Sequence, residues 1–422
     1  EEGGKPHWEL LCAWSSGVEG AAGVSIALSR LAMGAKRWSQ PIMVAQDQRK
    51  SLQNPVWLDN RTQGLKLLYI SRGRRGQSTA VVQSSVSFDK GQTWSTGKTV
   101  IDRPGAMVKN APYLSHRGTW MLPMYYTPQG QSHMQSQYSV LMESANAGKA
   151  WKQVSVMSKK GQGLVQPTVV PIVNQTTGER KLMAFFRNRR RGFLYRSVST
   201  SQGRRWSTPE PTPLPQQNKA VQAITLASGR IALVFNNNAG LPQLGKMPNR
   251  DTKNHPISIA LSLDGGESWP YVRDLEESFI RSLEYTYPSI VQTSDGWIHI
   301  VYTFSMGKKR RVCIRYIRIN EDWIKQSYEW GATKGVYIPG SSAPLTATGP
   351  SPTLATEARD PPAANHTDYQ ALWDSPGESS VDYESPAVKD PSAAFTTAVG
   401  RNRAARGIVS SPLQSPEEGR GY

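Results

Sequence analysis

Five tryptophans, Trp38, Trp94, Trp151, Trp206 and Trp269, recur at spacings of 56, 57, 55 and 63 residues. Four of them close one eight-residue box, Ser-x-(Asp, Asn or Ser)-x-Gly-x-x-Trp. The boxes are SFDKGQTW from Ser87, SANAGKAW from Ser144, STSQGRRW from Ser199 and SLDGGESW from Ser262. A stretched relative, SRLAMGAKRW, ends at Trp38. A catalytic loop usually occurs once, whereas a unit recurring at a fixed period marks a repeat architecture, and this period lies just above that of known propeller blades. The residue types suit a turn. Asp, Asn or Ser accepts from backbone amides two residues on, Gly supplies a positive φ, and Trp covers the hairpin with apolar area. The boxes are therefore read as turns and not as the active site.

Between boxes the same runs return. The second runs, LKLLYIS, WMLPMYY, KLMAFFR, RIALVFN and WIHIVYT, are short and rich in β-branched and aromatic residues, and read as strands. The first runs open NPVWL, NAPYL, QPTVV, VQAITL and YPSIV, with a polar or hydroxylated residue near a Pro, as at a strand start. The first strand of a propeller blade lines the central channel. Asn54, Asn110, Gln166, Gln222 and Tyr287 are thus expected in a ring at one mouth; the alternative is five unrelated strand caps. Adding ELLCAWSS and GVSIALS at the N-terminus, and a last unit from Tyr287 to about Asn320, gives six blades, the first without its innermost strand. The fold class is all-β, a six-bladed β-propeller over residues 1–330.

Beyond it, residues 331–422 are rich in Pro, Ala, Ser and Thr without apolar periodicity, and such a chain cannot offset its ordering entropy by burial. A disordered C-terminal tail is predicted. The net charge of +18 is uneven: from Gly340 onward there are 10 acidic and 6 basic residues, which leaves +22 on the rest. A strongly basic body favours anionic partners, whether nucleic acid, acidic lipid or acidic carbohydrate. The clusters RGRR (Arg72–Arg75), RNRRR (Arg187–Arg191) and KKRR (Lys308–Arg311) follow second strands of blades two, four and six. They read either as solvated loop charge or as a positive funnel. Two cysteines, Cys12 and Cys313, provide no disulfide framework and read as buried free thiols. No run of 18 apolar residues offers a membrane span. Three Asn-x-Thr sites, at Asn60, Asn174 and Asn365, are compatible with a secretory route. The stretch GQTWSTGKT has one residue too many between its glycines for a phosphate-binding loop. No His-Glu-x-x-His or paired-Cys pattern suggests a metal, and no cofactor is expected.

With these boxes at this period, together with SSGVEG, NPVW, QPTVV, AFFR, LASGRIALVFN and EYTYPSIVQTSDGWIHIVYT, residues 8 to 320 resemble the sialidase superfamily, in its branch with bacterial-neuraminidase repeats. The resemblance implies peripheral boxes, a site at the channel mouth and an exo-glycosidase of terminal sialic or related acidic sugars. It further implies an arginine triad for the substrate carboxylate, a tyrosine nucleophile with a partner glutamate, and a loop acid. A guanidinium matches a carboxylate bidentately, and a neutral phenol approaches an anionic sugar that repels a carboxylate nucleophile. On this resemblance Tyr287 matches the nucleophile and Glu19 the acid. Arg187 matches one triad arginine and Arg250 could be another. Asn54, Asn110, Gln166 and Gln222 complete the substrate-binding set. Two departures stand out. Gln166 occupies the place of the activating glutamate and cannot accept a proton, and the first triad arginine belongs on the strand that blade one lacks. Glu284 is near in sequence, but strict strand alternation puts it on the face opposite Tyr287.

Two further functions compete with hydrolysis. A propeller that binds acidic glycans without cleaving them accounts for Gln166 and Gln222 where acids are expected. A general polyanion or nucleic-acid binder rests on charge alone, with no aromatic-interleaved RNA motif, and ranks last.

Overall fold

The computed structural model describes residues 8–326, except 61–63, 75, 130–135, 174–176, 239–255, 279–281 and 307–309, together with the backbone of 383–384. Six antiparallel sheets follow one another along the chain as the blades of a propeller. Blade one is β1 (Glu9–Ser16), β2 (Ser25–Ala32) and β3 (Ile42–Ala45). Blade two is β4 (Ser51–Asn60), β5 (Gly64–Arg72), β6 (Val81–Ser87) and β7 (Lys98–Ile101). Blade three is β8 (Ala106–Val108), β9 (Tyr113–Leu114), β10 (Trp120–Tyr126), β11 (Tyr138–Ser144) and β12 (Lys152–Ser158), with β8 and β9 both paired to β10. Blade four is β13 (Leu164–Val173), β14 (Arg180–Asn188), β15 (Gly192–Ser199) and β16 (Glu210–Gln216). Blade five is β17 (Gln222–Thr225), β18 (Ile231–Asn236), β19 (Ile257–Ser262) and β20 (Tyr271–Glu276). Blade six is β21 (Leu283–Gln292), β22 (Ile298–Met306), β23 (Arg310–Ile319) and β24 (Tyr383–Glu384), so its outer strand comes from within the predicted tail. A short helix, α1 (Glu321–Lys325), follows β23. The rest of that tail, and the sequons at Asn174 and Asn365, lie outside the described residues.

Blade one has three strands, and its box lies between β2 and β3. In the other boxed blades the box lies between the third and outer strands, so β1 to β3 are the second to fourth strands of their blade. Among the described residues no strand occupies the inner position. Apolar clusters fill the spaces between neighbouring blades. One joins blades one and two through Ile26, Leu28, Leu67 and Tyr69. Others join two to three, three to four, four to five and five to six, and Trp14, Leu31, Val301 and Tyr316 pack blade one on blade six. Second strands are covered on both faces, which is why RIALVFN and WIHIVYT read as continuous apolar runs.

The boxes are turns. In each, the Ser Oγ accepts from the Gly amide, at 2.6 Å for Ser87 and Gly91 and at 2.7 Å for Ser262 and Gly266. The third residue caps a later amide, as Asp89 does for Thr93 at 2.9 Å. The two central residues have positive φ: Lys90 58° and Gly91 84°, Ala147 56° and Gly148 78°, Gln202 57° and Gly203 82°, Gly265 75° and Gly266 94°. That pair of left-handed residues is what a right-twisted hairpin requires.

Three inner strands begin earlier than the sequence suggests. Asn54, Gln166 and Tyr287 are not strand starts but lie inside β4, β13 and β21, each before a Pro and each left-handed, with φ of 51°, 51° and 55°. The ladder skips at each: Gln53 to Val56, Val165 to Thr168 and Thr286 to Ser289. A bulge accommodates the Pro that cannot donate, and pairing resumes beyond it. The strict alternation that set Glu284 opposite Tyr287 is broken by the same bulge. Cys12 is buried as expected, and burial pushes its thiol pKa up, whereas Cys313 is only partly buried. Among the described residues no helix is long and apolar enough to cross a membrane.

Candidate functional site

The bulge in β13 sets Gln166 beside Arg187, near the end of the second strand β14. Arg187, near the end of β14, is 9% exposed, and its guanidinium is fixed by two amides. Nη1 donates to Gln166 Oε1 at 3.0 Å and Nε donates to Asn218 Oδ1 at 2.9 Å. Arg189, half-buried just after β14, donates from Nε to Gln137 Oε1 at 2.9 Å. Tyr125, buried on β10, lies beside Gln166, Arg187 and Arg189; burial raises its phenol pKa and the two arginines oppose that rise. Tyr287 also lies within the charge field of Arg189. Glu19, exposed in the loop between β1 and β2, acts on Tyr125 and on Arg72, and Arg72 Nε donates to Gln53 Oε1 at 3.3 Å. The structure therefore brings Glu19, Gln166, Arg187 and Tyr287 around Tyr125 and Arg189.

The other expected residues stitch blades together. Asn54 Nδ2 donates to Val108 O at 2.9 Å, which ties blade two to blade three. Asn110 lies between β8 and β9, and its Nδ2 donates to Gln166 O at 3.1 Å and Pro167 O at 3.0 Å, tying three to four. Gln222 opens β17, and its Oε1 is buried without a hydrogen-bond partner among the described residues, as are both amide atoms of Gln217. Arg250 lies outside the described residues.

Sequence reasoning missed Lys109. It is 1% exposed, and its Nζ donates to Pro288 O, next to Tyr287, at 3.4 Å. Burial pushes its pKa down to about 7, and the neighbouring Arg187 adds to the fall. Burial and Arg187 likewise push Arg189 down to about 10. Arg189 was visible only as part of a basic cluster, and Lys109 carried no local signal. Among the described residues no group of His, Cys, Asp or Glu is placed to hold a metal ion. Chemically, the site can hold a carboxylate on a preorganised guanidinium with a phenol and an exposed carboxyl nearby.

A family model described as a BNR repeat-like domain matches residues 8–300. No curated protein matches the sequence. Among solved structures the chain is similar to the Hadza microbial sialidase Hz136, with 15% identity and a TM-score of 0.57 over 71% of this chain and 63% of that one. It is also similar to the intramolecular trans-sialidase of Ruminococcus gnavus (14%, TM-score 0.54, 75% of this chain and 93% of that one). The leech intramolecular trans-sialidase is a third such structure (10%, TM-score 0.57, 75% and 67%). The chain thus spans less than two thirds of the Hadza enzyme. At these identities the likeness is one of fold.

Proposed function

This chain belongs to the BNR repeat-like domain family, and from that premise we propose that it is an exo-glycosidase of terminal sialic or related acidic sugars. The observation that carries this reading is the convergence of Glu19, Arg187 and Tyr287 on Tyr125 and Arg189. Arg187, held in plane by Gln166 and Asn218, receives the sugar carboxylate as a two-pronged donor. The Tyr287 oxygen attacks the anomeric carbon while Glu19 gives its proton to the departing glycosidic oxygen, leaving a glycosyl-tyrosine. Water then attacks that carbon, its proton passes to Glu19, and Tyr287 is released. Gln166 cannot take the phenol proton, so that proton goes to solvent.

Gln166 also favours a second reading, a propeller that binds the same sugars without cleaving them. A fluorogenic sialoside separates the two. Hydrolysis is expected, Tyr287→Phe lowers kcat by several orders of magnitude with the fold retained, and Arg187→Lys mainly raises KM. Binding of N-acetylneuraminic acid without turnover supports the second reading. A Tyr287→Phe protein that hydrolyses at the parental rate removes the mechanism.

A further inference from the structure

Arg187, Arg189 and Lys109 form one cationic group with no carboxylate partner among the described residues. Each acceptor they use is neutral: the amide oxygens of Gln166, Asn218 and Gln137, and the carbonyl of Pro288. Arg72, on the same face, differs, since it lies in the field of Glu19. The three cations are layered by exposure, with Lys109 1% exposed, Arg187 9% exposed and Arg189 half-buried. Holding like charges together away from water is unfavourable unless an anion compensates them. One sugar carboxylate on Arg187 cancels only one of these charges.

We propose that the sugar taken by this site carries two anionic groups, a carboxylate held on Arg187 and a second substituent, a sulfate or phosphate ester, held on Arg189 with Lys109 adding charge from beneath. Burial, and after it the neighbouring Arg187, lowers the proton affinity of Lys109 and of Arg189, and a bound dianion opposes that fall.

This inference rests on the acidic-sugar reading, and its test separates the two. The methyl glycosides of N-acetylneuraminic acid and glucuronic acid are titrated calorimetrically against their mono-O-sulfates and mono-O-phosphates at constant ionic strength. At least one ester is expected to bind about tenfold more tightly than its parent, the worth of one added charge-assisted contact. Lys109→Met and Arg189→Gln should each shrink that preference to within about threefold, while Arg189→Lys, which keeps the charge, retains part of it. Near-ultraviolet circular dichroism verifies that each variant is folded. Parents that bind as tightly as every ester overturn the two-anion proposal and leave the acidic-sugar reading standing. A preference that survives in both charge-removing variants overturns the assignment to Lys109 and Arg189. If neither parents nor esters bind, both readings fall.

Discussion

An ammonium group that is 1% exposed has lost its bulk hydration, and Lys109 answers by giving up its proton more readily, at about pH 7. The unfolded chain keeps that proton up to the ordinary lysine range near 10.5. Between the two values the unfolded state binds more protons than the folded one, so this residue makes stability rise with pH across that window. Below about pH 7 its cost is constant and largest. Lys109→Met, which keeps most of the volume, is therefore expected to unfold at a higher urea midpoint than the parent at pH 7, with the gap narrowing by pH 10. A gap that does not change with pH means that the lysine keeps its proton in the fold. Nothing in VKNAPYL announces this, because a lysine beside an asparagine has the local pattern of a solvated loop and its burial is created only when blades three and six meet. Arg187 and Tyr287 were singled out through the family resemblance. The first lies near the end of β14 and the second interrupts β21.

Each box also fastens its blade to the one before. Box carbonyls accept hydrogen bonds from preceding blades: Arg30 to Lys90 O at 2.7 Å, Lys66 to Ala147 O at 2.5 Å, Ser155 to Gly203 O at 2.5 Å and Arg196 to Gly266 O at 2.8 Å. The box glycines press on the same neighbours, so that a Cβ on Gly203 would stand 2.4 Å from Leu141 Cδ2. Gly161 has nearly the same φ, 81° against 82°, yet a Cβ there meets nothing within 4 Å. Gly161→Ala should cost about 1 kcal/mol for the left-handed backbone, and Gly203→Ala about 2–4 kcal/mol because overpacking adds to that. Urea unfolding measures both, and equal losses would rule out the blade-to-blade contact as the reason for the glycine. The boxes were readable from sequence because turn chemistry is local and repeats four times. The bulges were not. A polar residue before Pro at 54, 166 and 287 marks an interruption, but only the resumed ladder beyond it distinguishes a bulge from a strand start.

The ring closes between blades one and six, where no inner strand of blade one lies among the described residues and side chains hold the seam. Trp8 Nε1 donates to Asp295 Oδ2 at 2.6 Å, and the Trp8 ring meets His299 edge-on at 4.9 Å. Trp38 meets Tyr316 at 5.5 Å, and the two ring nitrogens of His299 bond Tyr316 Oη at 2.7 Å and Thr293 Oγ1 at 2.9 Å. Burial pushes the His299 pKa down to about 4; Arg318 adds to this and Asp295 opposes it. In the unfolded chain the imidazole takes its proton near pH 6.5. As pH falls from 6.5 to 4 the unfolded state gains a proton that the closed ring refuses, so the stability contributed by a neutral His299 is lost through that window, by about 3 kcal/mol in all. His299→Gln can still bond Tyr316 and Thr293 but does not titrate, and should flatten the acid limb of the stability curve while lowering stability modestly at pH 7. Because the titrating imidazole lies in the seam, amide exchange at pH 5 should rise first in β1 and β23, and should do so less in the variant. Parallel acid limbs for the two proteins, or exchange that rises first in blades three and four, would place the acid-sensitive joint elsewhere in the ring.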